Sequence, residues 1–573
     1  MYQLLVYTSV TFGSLISSSV HSWVNLENGS LTLSYTISHD DRGKRPLKLE
    51  LVYNQKSVDD SMVGIGWGGD FATKVEKPTP DGRVIIREVG NGAITAFVPQ
   101  GGQLRVDDAI TEIITAMGKK ASSSALDQLR KQLKEDDVYR YAMAREFGVT
   151  MKVATGTVLT SNDLGGQTLT KSDTGWVRKK NSSETDYFND KGQLVKSVFP
   201  DKYILDYEYK NDDLSVVKDS DNRQINLTSY PNHKIKTVET PLSGVLSTLT
   251  YKGNDLASIE IVGKEFKKKF DFKYDNAGVS NLVEVLSKED GNQKFSYYPK
   301  NHWLKTHAPG NGTEVEYIYG GNPNGPSYWT QIITRRLTDS KTKPKDDKNL
   351  VIQDYKMTYE KKVDAATGKQ WISKEIREED GKKREISKNM DGLVTQIKSE
   401  NRTVDFVWDG PRLMEKKADD GEFRKYEYDN KYKKLSKVTS PKDVVTFEYV
   451  GEDGLLQKAQ NKNNVYVYLQ YNKENLISTL TFTPKEEKEK ITLQFEDYNA
   501  AAKPTHVYVV KNGKKLYNMN VTYLGGNYKE HTSNNEKEMV NYLGQGLNNL
   551  NGLIEYGKIT TGSDFPSSER YGF

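Results

Sequence analysis

One interval constrains this chain more than any other feature. Aromatic residues recur at about 21 to 23 positions, at Tyr209, Tyr230, Tyr251, Tyr274, Tyr297 and Tyr319. Trp408, Tyr428, Tyr449 and Tyr471 resume the series. A fixed period of this length marks a repeat array, whose units are too small to fold alone and must stack on their neighbours. One unit shows the physics. Tyr426-Glu427-Tyr428 alternates aromatic, polar, aromatic, the period of a strand with one buried face. Asp429-Asn430 supplies a turn, and Leu435-Ser436-Lys437-Val438 makes the return strand. The same order recurs at Tyr207-Glu208-Tyr209, Phe272-Lys273-Tyr274, Phe406-Val407-Trp408 and Phe447-Glu448-Tyr449, and again at Tyr471-Asn472 with Leu476. Two strands of about six residues and two short turns account for the interval. The expected fold is mainly β, with hairpins extending one long sheet that curls to bury its aromatic face.

Composition narrows the class. The 573 residues include 35 Tyr against 17 Phe, which suits half-buried strands where the ring packs and the hydroxyl stays wet. Lys and Arg total 82 and Asp and Glu 78, a net charge of +4 with no sustained basic stripe, so nucleic acid is not an expected partner. No cysteine is present, which excludes a disulfide scaffold, a thiol nucleophile and thiolate zinc sites.

Other segments interrupt the array. Residues 1–22 read as a signal peptide: Leu4 to Val20 is uncharged and apolar, and Val20-His21-Ser22 precedes a cleavage point at Trp23. No Lys or Arg occurs before Arg42, so the usual basic start is missing. No other segment is apolar enough to span a bilayer as a helix, and the mature chain is expected to have none. An N-terminal β region covers 23–105. A helical insertion follows over 106–148, with Ile110, Ile113, Ile114 and Met117 at helical spacing and Gly118 closing the helix. Ser124 to Asp127 resembles a capping box ahead of Leu129 and Leu133. The β-spiral runs over 149–526. It has a divergent stretch near 335–400 that includes the charged loop Asp339 to Lys348. Residues 527–573 read as a polar tail.

The unit Tyr-x-Tyr-Asp/Asn-x-x-Gly-x-Leu resembles the YD repeat of the RHS family of bacterial proteins. The likeness covers about Tyr187 to Tyr498. Val24 to Leu31, Pro46 to Asn54 and Gly64-Ile65-Gly66-Trp67 resemble the ordered N-terminal signatures of that family. So do Asp81-Gly82 and Gly90-Asn91-Gly92 through Phe97. The resemblance implies a β-strip spiralling into a shell, which in larger members encloses a C-terminal toxin and in others acts at cell surfaces. Two family features are missing: an Asp-Pro-x-Gly core motif near the end, and a long domain after it. The chain therefore reads as an N-terminal cap plus a short spiral.

Few residue patterns in this chain suggest chemistry. His302 and His307 are the only close histidines and fit no zincin spacing; they read as solvated. Gly64 to Gly69 suggests a dinucleotide loop, but no helix follows, so a strand turn is the better reading. Of the paired Asp residues at 59–60, 107–108, 136–137, 212–213, 346–347 and 419–420, most fall at expected turns or helix starts. The run Pro484 to Lys490 reads as a solvated hairpin tip. Trp303, Trp329 and Trp371 read as packing residues, with sugar stacking as the alternative. No catalytic residue, metal ligand or cofactor is assigned, and the ligand-binding residues are unknown. The expected function is non-enzymatic: an exported protein of the cell surface, periplasm or extracellular space. It would bind carbohydrate, an envelope component or a protein partner, or form a partial shell. The alternatives are an outer-membrane β-barrel and a polysaccharide-acting enzyme.

Overall fold

The computed structural model describes residues 21–557, apart from residue 44 and 91–93, 101–103, 119–122, 162–165, 181–183, 200–201, 276–280, 338–349, 485–488, 500–501 and 525–526. The apolar leader over 4–20, the loop at 339–348 and most of the 484–490 run lie outside the described residues.

Strand accounts for 56% of the structure. One antiparallel sheet of 36 strands runs in chain order from Lys74–Val75 to Asn527–Ser533. Its first strand folds back early. Lys74 bridges Gln193, and the Val75 amide donates to the Gly192 carbonyl at 2.9 Å. The last strand pairs with Lys514–Leu524. Among the described residues no ladder joins the two ends, so the sheet is a curled ribbon rather than a closed barrel.

The repeat explains the ribbon residue by residue. The first aromatic of a unit points inward and faces the residue three places after the Leu. Phe272 meets Val285, Tyr426 meets Val438 and Phe447 meets Ala459, all buried. The second aromatic follows a β-bulge and faces the Leu itself, as in Tyr274–Leu282, Tyr297–Leu304, Tyr428–Leu435 and Tyr449–Leu456. Its hydroxyl then donates to the Leu carbonyl of the preceding unit. Tyr297 reaches Leu282 at 2.7 Å, Tyr319 reaches Leu304 at 2.8 Å, and Tyr428 reaches Leu413 at 2.8 Å. Tyr449 and Tyr471 reach Leu435 and Leu456, each at 2.6 Å. Trp408 makes the same bond to Val394 through Nε1 at 2.7 Å. The anchor hydroxyls are thus bonded to the backbone and not wet, which corrects the sequence expectation. Tyr230 is out of step: it stands one residue past its bulge and donates forward to Leu249 at 3.2 Å.

The residue between the aromatics faces outward and pairs across the hairpin. Glu208 meets Lys218 at 2.7 Å, Lys273 meets Glu284 at 2.7 Å, Glu427 meets Lys437 at 2.8 Å and Glu448 meets Lys458 at 2.9 Å. A sheet with apolar residues inside and ion pairs outside is the inverse of a lipid-facing barrel. That polarity argues against the outer-membrane alternative.

The ribbon is wound on two pieces of its own chain. Strands β1 (His21–Asn25), β2 (Ser30–Asp40) and β3 (Leu47–Asn54) form a small antiparallel sheet with Trp67–Gly68. Leu31, Leu33, Tyr35, Leu51, Tyr53 and Trp67 are buried in it. The surrounding strands hold it by polar contacts along their length. Arg223 donates to the Asp40 carbonyl at 2.7 Å, Trp67 Nε1 to the Tyr274 hydroxyl at 2.9 Å, and Thr330 to the Leu26 carbonyl at 2.6 Å. This first core ends at Met357 and Tyr359. A second begins at Ile386 and is filled by the helix Glu536–Gly557, whose Met539, Leu547, Leu550 and Leu553 are buried against the later strands. Of the segment 527–573, read from sequence as a polar tail, 527–557 is therefore the last strand and an amphipathic helix with one face buried on the sheet, while 558–573 lies outside the described residues.

Three helices, α1 (Val106–Met117), α2 (Ser123–Glu135) and α3 (Asp137–Glu146), share a small core of Val106, Ile110, Ile113, Leu133 and Ala144. Arg140, 1% exposed, locks this insertion in place. It donates to the carbonyls of Leu133 at 2.5 Å and Thr367 at 2.8 Å, and to Asp81 at 3.2 Å. Thr367 lies on the loop between Val351–Val363 and Gln370–Glu379, so the insertion ties the array's early and late parts together. The helix Glu536–Gly557 is α4 below.

Candidate functional site

The inner face changes character between the two cores. In most units the inward position three after the Leu is apolar: Val217, Val285, Val438, Ala459. In the unit starting at Phe406 it is Lys416. The inward position two before the first aromatic is Phe270, Val404 or Val445 in three other units, and Arg424 before Tyr426. Register places these cations together, because Phe406 faces Lys416 and Lys416 faces Arg424 across successive strands. A parallel row carries Arg377, Arg384, Ser399 and Arg402. Between the two rows run Ile386, Ile397, Val404 and Ala418.

Apart from Arg377 and Ile386, these residues line a half-open cleft of about 700 Å³ at the C-terminal end of α4. Its walls carry Arg384, Arg402, Lys416, Arg424 and Lys442 against two carboxylates, Asp420 and Glu422. Arg402 engages both carboxylates, Asp420 at 3.1 Å and Glu422 at 2.7 Å. Tyr556 closes one side. Its ring lies 4.8 Å under the Arg424 guanidinium and its carbonyl accepts from Arg424 at 3.2 Å. The Tyr556 hydroxyl is held by Ser440 and the Asp443 carbonyl. On the other side of Ile386 stands a second polar group. Glu375, 8% exposed, is ion-paired with Lys388, and burial followed by Glu375 pushes the Glu27 carboxyl above its usual range. The arrangement offers guanidinium donors over an aliphatic floor, the means to hold carboxylate or phosphate groups.

The residues singled out from sequence lie elsewhere. His302 and His307 do not meet. His307 is buried, stacks on Phe295 with centroids 4.8 Å apart and bonds Gln293 at 3.2 Å, so it is a core residue and not solvated. His302 bonds Asn281 at 3.0 Å. Trp303 is buried against Tyr319, and Lys356 lies 4.7 Å over Trp329. Gly64 to Gly69 forms short strand turns in which a side chain at Gly64 would meet the Asn254 carbonyl at 2.7 Å. Among the described paired Asp residues, Asp59, Asp60, Asp137 and Asp212 sit in ion pairs with Arg87, Lys234, Arg83 and Lys191. Among the described residues no group of three or more His, Asp or Glu could hold a metal ion. The cleft cations were legible only as a departure from the unit pattern: Lys416 three places after Leu413, where other units carry Val or Ala.

No family model and no curated protein matches this sequence. Among solved structures, TcdB2-TccC3-Cdc42 matches 86% of this chain and 27% of that chain, at 9% identity and a TM-score of 0.41. TcdB2-TccC3 without its hypervariable C-terminal region matches over 91% and 28%, at 9% identity and 0.35. TcdB2-TccC3 itself matches over 89% and 33%, at 9% identity and 0.29. This chain thus spans a third or less of the length of those chains.

Proposed function

We propose that this chain is a non-enzymatic, exported repeat protein of RHS type whose wound sheet serves as a binding body at the cell surface or beyond it. The observation that carries this reading is the occupied interior. The N-terminal sheet fills the first core and α4 fills the second, so the shell is packed with its own residues and leaves a cleft between them. A body of this kind suits recognition of a carbohydrate, an envelope component or a protein partner. The cleft carboxylates are engaged by Arg402, which supports binding over acid–base chemistry. The test is intact mass of the native protein in each cell fraction, prepared without detergent. The expected result is a soluble species starting at Trp23 outside the cytoplasm. A full-length chain confined to the cytoplasm, or one released only by detergent, overturns the proposal.

A further inference from the structure

We infer that the cleft at the end of α4 binds an acidic peptide segment with apolar side chains between its carboxylates. This names a partner class for the binding body proposed above and rests on that reading. Three observations select the class. First, Lys416 and Arg424 are half-buried at inward positions that neighbouring units fill with Val, Ala or Phe, so they stand where core residues stand elsewhere in the array. Second, they are spread across successive strands, from Arg384 to Arg402 in one row and from Lys416 to Arg424 in the other. At roughly 5 Å per strand this spacing suits an extended polyanion better than a single phosphate. Third, the floor between the rows is Ile397, Val404 and Ala418, and among the described residues no Asn or Gln amide lines the cleft. Sugar hydroxyls would find few partners on that floor, whereas aliphatic side chains would bury against it.

The experiment uses the full chain and a fluorescein-labelled octapeptide of alternating Glu and Leu, read by anisotropy. The variant is Lys416→Val, which installs the residue that other units carry at this position and so is compatible with the fold. Its melting temperature, measured in parallel, is expected to equal or exceed that of the wild type. Binding is expected for the wild type, weakened at least tenfold by Lys416→Val and weakened by added salt. Equal binding by both proteins, or by neither, overturns the inference. Tetragalacturonate binding in place of the peptide, with the same dependence on Lys416, overturns the peptide assignment. Glycan or envelope binding that persists unchanged in Lys416→Val separates the two readings: the binding body stands and the cleft assignment fails.

Discussion

A phenol at the second aromatic of each unit does what a phenyl ring cannot. Its ring packs within one unit while its hydroxyl bonds the backbone of the unit before, and burial raises the Tyr449 hydroxyl to about 12. Tyr449→Phe keeps the ring and strands the Leu435 carbonyl, so we expect a loss of about 1–2 kcal/mol in chemical denaturation. Tyr466→Phe, which touches no such carbonyl, should stay within about 0.5 kcal/mol. His307 makes a second residue-scale prediction. Burial lowers its pKa to about 4, below the ordinary 6.5, so the unfolded chain binds the extra proton first as pH falls. Stability from this site is complete above about pH 7 and declines between pH 6.5 and 4, by up to about 3 kcal/mol. His307→Val should flatten that decline in a pH series of denaturation midpoints; an unchanged slope would count against the assignment. The alternation of aromatic and polar residues was legible in the sequence, but the hydroxyl's partner was not. That bond crosses between units, and its geometry depends on a bulge with no residue signature of its own.

At the scale of the hairpin, the Asn and Asp of the motif act as turn clamps. Asn472 accepts from the amides of Glu474 at 3.0 Å and Leu476 at 2.9 Å, while Asn475 takes a positive φ of 62°. Asn189, Asn389 and Asn461 repeat the same pair of bonds. Asn472→Ala should therefore cost about 1–2 kcal/mol, and Asn472→Asp much less, because the carboxylate still accepts both amides. Helix α4 was not legible in the sequence. Met539, Leu543, Leu547, Leu550 and Leu553 lie at helical spacing, but Asn and Gly residues between them dilute the pattern. Its apolar stripe became meaningful only once the strands had supplied a concave surface to receive it.

At the scale of the whole molecule the ribbon holds two apolar cores with no residue in common, separated by the belt of Glu375, Lys388, Arg384 and Arg402. Calorimetry should resolve two transitions. Leu550→Ala, which opens a cavity beneath α4, should lower only one of them, by about 2–5 kcal/mol; a single transition moving as a whole would refute the division. The long curled sheet was readable from the interval between aromatics. The cleft was not, because its cations are ordinary Lys and Arg until strand register shows which way they face. The occupied interior has one more consequence. Helix α4 has 22 residues and is about 33 Å long, and it packs against strands from Leu435–Thr439 to Asn527–Ser533. It therefore works as a mandrel whose length gauges how many hairpins can be wound on it. Adding a hairpin within that span without lengthening the rod would leave an inward aromatic facing nothing, so rod and ribbon must grow together.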